Sequence, residues 1–245
     1  MKTTKKIVCN IGLLIVFSIC YNSIIGFLFV LLVIIGFLVW TSYSIQSSIY
    51  CDAICKLNTD KKKIALSFDD GPDATHTNEV LDILKEYNIK SYFFLIGEKV
   101  KQNPAIATRI RQEGHLIGNH SYFHKGTFPL QSTNNIFKEL EQCNTIIEET
   151  TGEKCTLFRP PFGVTNPMIG KAIKRMQSKQ KFDVIGWDVR SFDTTTDDID
   201  KTIHKIIKQL KPGSIVLLHD RLSTTPALLR RLIPQIQEMG YELGI

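Results

Sequence analysis

No charged residue occurs between Ile7 and Trp40, and this absence divides the chain in two. A long, uncharged apolar run of this kind is typical of membrane-spanning helices, which need about 17–25 apolar residues each. A secretory signal peptide has a shorter apolar core and then a small-residue cleavage site, and no clear cleavage site follows this run. We therefore predict that residues 1–50 form a membrane anchor in contact with lipid.

The number of membrane spans is left open by the polar residues 21–23, which interrupt the run. One interpretation is a pair of short spans, Ile7–Cys20 and Ile24–Trp40. The other is a single span, Ile24–Trp40, preceded by an embedded or interfacial segment. In both, Trp40 and Tyr43 suit the aromatic belt at a membrane surface.

Several signatures of other protein classes are also missing. The six cysteines lack zinc-finger spacing, and the sequence leaves a disulfide possible, although we predict free thiols. No G-x-G-x-x-G follows the first predicted strand, so no dinucleotide site is indicated. The net charge is +6, but three of the cations are Lys2, Lys5 and Lys6. The small basic excess that remains is too weak for a nucleic-acid-binding surface. Oligomeric state is not indicated.

After Lys63 the sequence alternates apolar strands with amphipathic helices. The predicted strands are Ile64–Phe68, Lys90–Ile96, Leu116–Asn119, Thr156–Arg159, Phe182–Gly186, Ser214–His219 and Tyr241–Leu243. Alternation of this kind predicts an α/β fold with a parallel sheet, and about seven strands favour a distorted (β/α) barrel over an open doubly wound sheet. We expect an anchor (1–50), a linker (51–60) and one folded domain (61–245).

Two adjacent carboxylates, Asp69 and Asp70, follow the first predicted strand. Neighbouring side chains on a strand point to opposite faces, but at a frayed strand end both can serve one site in two roles. Two such acids repel each other, so a cation or a buried arginine is needed to keep both ionised.

A pair of histidines, His120 and His124, follows another strand end. On a helical turn, residues four apart share a face and could grip one metal ion. With Asp70 they form a two-histidine, one-carboxylate set that suits Zn and also Co, Ni, Mn or Fe. The same set occurs in iron oxygenases, and the identity of the bound metal would distinguish the two classes.

Three further residues sit at strand ends. Arg159 precedes two prolines in a stiff loop, from which it could reach an acid bidentately. Trp187 suits either a site or simple core packing, and His219 ends an apolar strand with a titratable group.

Five segments in this order resemble the polysaccharide deacetylases of carbohydrate esterase family 4, the NodB-type domain. They read S-F-D-D-G-P, H-S-Y-F-H, R-P-P-F-G, W-D-V-R-S-F-D and L-L-H-D, and the resemblance covers residues 61–244. It implies a distorted (β/α) barrel. It also implies metal-dependent removal of acetyl groups, N-acetyl above all, from a glycan such as peptidoglycan or a chitin-like polymer.

The resemblance implies a role for each matching residue. Asp69 resembles the catalytic base, Arg159 its partner, and His219 the general acid. The metal ligands would be Asp70, His120 and His124. The backbone N–H of Phe162 would bind the oxyanion, and Trp187 and Leu218 would border the acetyl methyl group. In this scheme a metal-activated water attacks the acetyl carbonyl, the base takes its proton, and the acid protonates the leaving amine.

The fourth segment departs from the family pattern. Arg190 stands where members commonly have an acid that tunes the catalytic histidine, and Thr194 replaces a tryptophan. A cation near His219 would lower its pKa and weaken it as an acid. Either Asp193 or Asp220 compensates, or activity is reduced, or substrate choice differs. This departure is the one feature that favours a non-catalytic, sugar-binding relative instead.

The side of the membrane is indicated in two opposite ways. The resemblance favours a domain outside the bacterial cytoplasmic membrane, facing the cell envelope. A two-span hairpin with lysines at both ends would favour the inside. We expect the outside, and the sequence does not identify the sugar.

Overall fold

The computed structural model describes Gly12, Leu14, Ile15 and residues 24–245. Within these, one helix is long and apolar enough to cross a membrane: α1, Ile24–Tyr43, with 20 residues and a mean hydropathy of 2.9. Most of its large apolar side chains are exposed. Except for those three residues, the alternative span Ile7–Cys20 lies outside the described residues.

The strands form one sheet. They are β1 (Ala53–Ile54), β2 (Lys63–Gly71), β3 (Tyr92–Leu95), β4 (Leu116–Asn119), β5 (Leu157–Phe158), β6 (Asp183–Ile185), β7 (Val189–Arg190), β8 (Ile215–His219) and β9 (Glu242–Leu243). The order is β1-β6-β5-β4-β3-β2-β8-β7, with β9 also on β2, and every pair is parallel. This incomplete barrel confirms the predicted fold class.

Helices pack around this sheet. They are α2 (Thr77–Glu86), α3 (Gly97–Gln102), α4 (Pro104–Gln112), α5 (Thr133–Thr151), α6 (Pro167–Gln177), α7 (Ile199–Gln209) and α8 (Thr225–Glu238). Their apolar faces cover two clusters of buried side chains on either side of the strands. Pro104 separates α3 from α4, because a proline cannot continue the hydrogen bonding of a helix.

The segment that follows α1 packs against the domain. The carbonyl of Ser42 accepts a hydrogen bond from the N–H of Thr165 (2.9 Å), and Gln46 Nε2 donates to the carbonyl of Trp187 (3.1 Å). Ile45 is only 4% exposed. Lys56 forms an antiparallel bridge with Ser214, at the start of β8. Residues predicted as a linker therefore supply β1 and bridge the gap between β6 and β8.

Candidate active site

The two carboxylates face one site because the strand that carries them is irregular at its end. Asp69 lies opposite His219 in the parallel register of β2 and β8. The register with β3 shifts between Asp69 and Gly71, and Asp70 has φ of 71°. Such a bulge re-aims a side chain that would otherwise point to the opposite face.

Asp69 is held by a buried arginine. Arg159 is fully buried, and its Nη1 donates to Asp69 Oδ1 (2.7 Å) and to Ser67 Oγ (2.9 Å). Its Nε and Nη2 donate to the carbonyls of Ile185 and Gly186. The prediction that Arg159 binds an acid bidentately is therefore wrong, because its Nε and Nη2 donate to backbone carbonyls and only Nη1 reaches Asp69. Burial lowers the pKa of Arg159, and the charge of Asp69 opposes that effect.

Three donor atoms converge beside Asp69. Asp70 Oδ1 lies 3.5 Å from His120 Nε2 and 3.3 Å from His124 Nε2, and the three donor atoms fall within 4.8 Å of one another. Ligands about 2.0–2.1 Å from a tetrahedral metal lie roughly 3.4 Å apart, so the spacing fits a divalent ion. Asp70, His120 and His124 therefore form a site that such an ion fits.

The ionisation of these donors also suits a cation. Burial alone would raise the pKa of Asp70, but His120, His124 and Arg221 together hold it well below its usual range. Burial and the charge of His120 lower the pKa of His124 to about 4, so its ring is neutral at pH 7. The Nδ1 of His120 lies 2.8 Å from the carbonyl of Arg159, which can only accept. That bond puts the proton on Nδ1 and leaves Nε2 as a ligand.

The histidines are presented by a loop and not by the predicted helical turn. Ser121 and His124 both have positive φ, 66° and 51°. Asn119 Oδ1 accepts from the N–H of Ser121, and Ser121 Oγ accepts from the N–H of His124. Asn119 is itself fixed by Asn144 and the carbonyl of Leu140. Side-chain hydrogen bonds of this type stabilise turns that helical backbone would not allow.

His219 is oriented by Asp193. Asp193 Oδ1 lies 2.9 Å from His219 Nδ1, and Oδ2 accepts from the backbone N–H of His219 (2.9 Å). Burial lowers the pKa of His219, but the hydrogen bond and charge of Asp193 outweigh it, with smaller help from Asp69 and Asp70, so the pKa is raised overall. Asp193 thus supplies the compensation that the sequence left open, and the Arg190 guanidinium lies 5.0 Å from the centre of the Phe192 ring.

Asp220 is turned away from the site. It is fully buried, and its Oδ2 accepts from Thr77 Oγ1 (2.6 Å). Burial raises the pKa of Asp220 to about 7. Asp193, and not Asp220, therefore compensates for the positive charge of Arg190. Asp220 instead packs beneath Gly71, where an added Cβ would overlap the Asp220 carboxyl group.

A cavity of about 510 Å³ is lined by Asp69, Asp70, His120, His124, Asp193 and His219. Its aromatic wall includes Trp187 and Phe162, and the ring of Phe162 lies 4.6 Å from that of His124. Phe162 lines this cavity and has φ of 60°. The prediction that Leu218 borders the cavity is wrong, because Leu218 is buried in the hydrophobic cluster on the other side of the sheet. Side chains alternate along β8, so Leu217 shares the face of His219 and lines the cavity instead.

Four residues that sequence reasoning missed support the site. Arg221 Nε donates to Asp70 Oδ2 (2.8 Å), and Lys99 Nζ donates to the carbonyl of Asp70 (2.7 Å). Ser67 and Asn119 supply the hydrogen bonds described above. Strand alternation links Ser67 to Asp69, but nothing in the sequence brings Lys99 or Arg221 next to Asp70.

A sequence model of the polysaccharide deacetylase family matches residues 56–180. The chain is 33% identical to the peptidoglycan-N-acetylglucosamine deacetylase PgdA of Listeria monocytogenes over 81% of this chain and 41% of that protein. It spans about two fifths of that relative's length. It is 34% identical to the peptidoglycan-N-acetylmuramic acid deacetylase PdaA of Bacillus subtilis over 78% of this chain and 72% of that one.

A similar solved structure is a CE4 family pseudoenzyme from Bacillus anthracis. The TM-score is 0.72 at 30% identity, and the match covers 79% of this chain and 66% of that one. Close similarity of fold therefore extends to a protein described as inactive. Activity has to be argued from the residues that line the cavity.

Proposed function

The chain belongs to the polysaccharide deacetylase family, and from this we propose that it is a metal-dependent hydrolase that removes acetyl groups, N-acetyl above all, from an envelope glycan such as peptidoglycan or a chitin-like polymer. One observation carries the proposal. Asp69 and His219 lie opposite each other on paired strands, beside the Asp70, His120 and His124 donors, within a single cavity.

The three donors would hold the metal, and zinc matches the mixture of two imidazoles and one carboxylate, although Co, Ni, Mn or Fe could bind the same set. A bound divalent ion lowers the pKa of water and polarises a carbonyl group. Arg221 engages Asp70 Oδ2, which leaves Oδ1 toward the histidines.

The chain's own residues divide the proton transfers. Asp69, kept in place by Arg159, takes a proton from water as it attacks the acetyl carbon. The backbone N–H of Phe162 stabilises the oxyanion. His219, with its raised pKa, holds the proton that the departing nitrogen needs, because an amide anion is a poor leaving group. Trp187 and Leu217 enclose the acetyl methyl group.

A second candidate function is sugar binding without catalysis. The similarity to a pseudoenzyme favours it. The presence of the base, the acid, the three donors and the histidine's carboxylate partner weighs against it.

We further propose that α1 anchors the protein in the bacterial cytoplasmic membrane, with the domain facing the envelope. The length and hydropathy of α1 support this, as do relatives that act on peptidoglycan.

The test is acetate release by the full chain in detergent micelles, from N-acetylglucosamine oligomers and from peptidoglycan. We expect release to stop after chelation, to return with Zn, and to fall at least about 100-fold in Asp69→Asn. Asp60→Asn, an exposed acid before β2, is the matched control. Stoichiometric zinc binding without release from any glycan would favour the sugar-binding alternative.

A further inference from the structure

The cavity contains one cation that the proposed mechanism does not use. Arg190 ends β7, is exposed, and lines the cavity. The other lining cations, Lys99 and Arg221, both bond to Asp70. Among the ion pairs of the described residues, none involves Arg190. Its guanidinium therefore has hydrogen-bond donors free for a ligand.

No carboxylate of the cavity is available to Arg190. The lining acids are Asp69, Asp70 and Asp193. Arg159 pairs with Asp69, Arg221 with Asp70, and His219 with Asp193. Arg190 is thus a cation at the cavity wall whose possible internal counter-ions are already paired.

The position of Arg190 is fixed by two contacts. Its backbone pairs with Leu217 on β8, two residues before His219. Its guanidinium lies 5.0 Å from the centre of the Phe192 ring, and Phe192 is itself held at φ of 59°. Stacking on an aromatic ring orders the planar guanidinium without using its N–H donors.

The charge of the cavity favours an anion. Three cations and three carboxylates line it, and a divalent metal would add two positive charges. An acetylated sugar that is otherwise neutral leaves this excess unbalanced. A carboxylate near the acetamido group would balance part of it, and a planar guanidinium is the side chain best shaped to bind one.

We propose that Arg190 is a specificity-determining residue, and that the substrate carries a carboxylate close to the acetyl group that is removed. This inference rests on the proposed deacetylase function. N-acetylmuramic acid, whose lactyl group ends in a carboxylate, has this chemistry, whereas N-acetylglucosamine alone does not. The departure at Arg190 therefore alters substrate choice and leaves the catalytic acid intact.

The test compares two ligands that differ in one group: a disaccharide of N-acetylglucosamine and N-acetylmuramic acid, and the same disaccharide with its carboxylate converted to a methyl amide. We measure acetate release by the zinc-loaded full chain. The expected kcat/KM for the carboxylate form is about tenfold higher, and this preference disappears in Arg190→Gln through a higher KM. Arg190→Lys restores part of the preference, and added salt weakens it.

Lys205→Gln is the matched control, because Lys205 also lies 4.9 Å from the Phe192 ring but does not line the cavity. It leaves the preference unchanged. Equal hydrolysis of both ligands by the unaltered chain overturns the inference while the deacetylase function stands. If neither ligand releases acetate, the proposed function fails, and calorimetric titration of both ligands decides the inference. Equal affinities would then exclude it.

Discussion

At the scale of single residues, the proposed catalytic acid, His219, depends on one neighbour. Asp193 bonds both the ring and the backbone of His219, and it is the main reason that the pKa of His219 is raised. A raised pKa keeps the imidazole protonated to higher pH. Because the mechanism needs that proton, activity should fall as the pH rises through the pKa of His219.

Asp193→Asn removes the charge, so the pKa of His219 falls and the alkaline limb of kcat/KM moves to lower pH. The measurement is a pH profile of acetate release at saturating zinc. Asp197→Asn, an exposed acid in the same loop, should leave the profile unchanged. An alkaline limb that stays in place in Asp193→Asn would assign it to another group.

At this scale the sequence predicts which residues come together better than it predicts their contacts. Asp69, Asp70 and the two histidines could be found because polar side chains at strand ends are conspicuous. Leu218 does not line the cavity, because side chains alternate along β8 and Leu217, two residues before His219, shares its face. The bulge at Asp70 could not be found, because it depends on the register between β2 and β3.

At the scale of elements, the loop between β5 and α6 shapes the cavity. It contains Gly163, which has φ of 67°, and a Cβ there would overlap the ring of Trp187. The glycine is thus needed both for the turn and for the close approach of the tryptophan. The two prolines before it restrict the loop, so the aromatic wall is held in one arrangement.

Gly163→Ala should displace Trp187 and lower kcat/KM, with a loss of unfolding free energy of about 1–3 kcal/mol from overpacking. Acetate release and urea unfolding measure the two effects. Gly126→Ala is the control, because a Cβ at Gly126 meets nothing within 4 Å. If Gly163→Ala and Gly126→Ala have the same kcat/KM and the same unfolding free energy, the loop accommodates the extra Cβ without loss of stability or activity.

The elements were predictable where apolar strands alternate with helices. All seven predicted strands are present, as β2, β3, β4, β5, β6, β8 and β9. The strands β1 and β7 fall outside that alternation, because β1 precedes it and no helix separates β7 from β6. Likewise, the histidine loop depends on side-chain bonds from Asn119 and Ser121, which spacing alone does not reveal.

At the scale of the whole molecule, the sharp change in composition near residue 50 does not coincide with a structural boundary. Thr41 and Ile45 are buried, β1 adds to the sheet, and Ser42 bonds to the loop that carries Phe162. Composition separates the apolar helix α1 from the polar domain well, but it does not report which residues after the helix pack against the domain. The sequence alone therefore suggested a linker where the structure has contacts.

A chain that begins at residue 44 should consequently be more stable than one that begins at residue 61. The shorter chain loses the burial of Ile45, worth about 1.5–3 kcal/mol, together with the pairing of β1 and the bridge from Lys56 to Ser214. Urea unfolding of the two chains measures the difference.

Point variants of the full chain separate packing from length. Ile45→Ala should cost about 2–5 kcal/mol of unfolding free energy, as for other buried aliphatic residues, whereas Ile54→Ala should cost less because Ile54 is 48% exposed. If both truncated chains unfold at the same urea concentration and Ile45→Ala is neutral, residues 44–57 are a linker. If the predicted losses appear, the segment after α1 belongs to the domain, and its hydrogen bonds to Thr165 and Trp187 connect the end of α1 to the wall of the candidate active-site cavity.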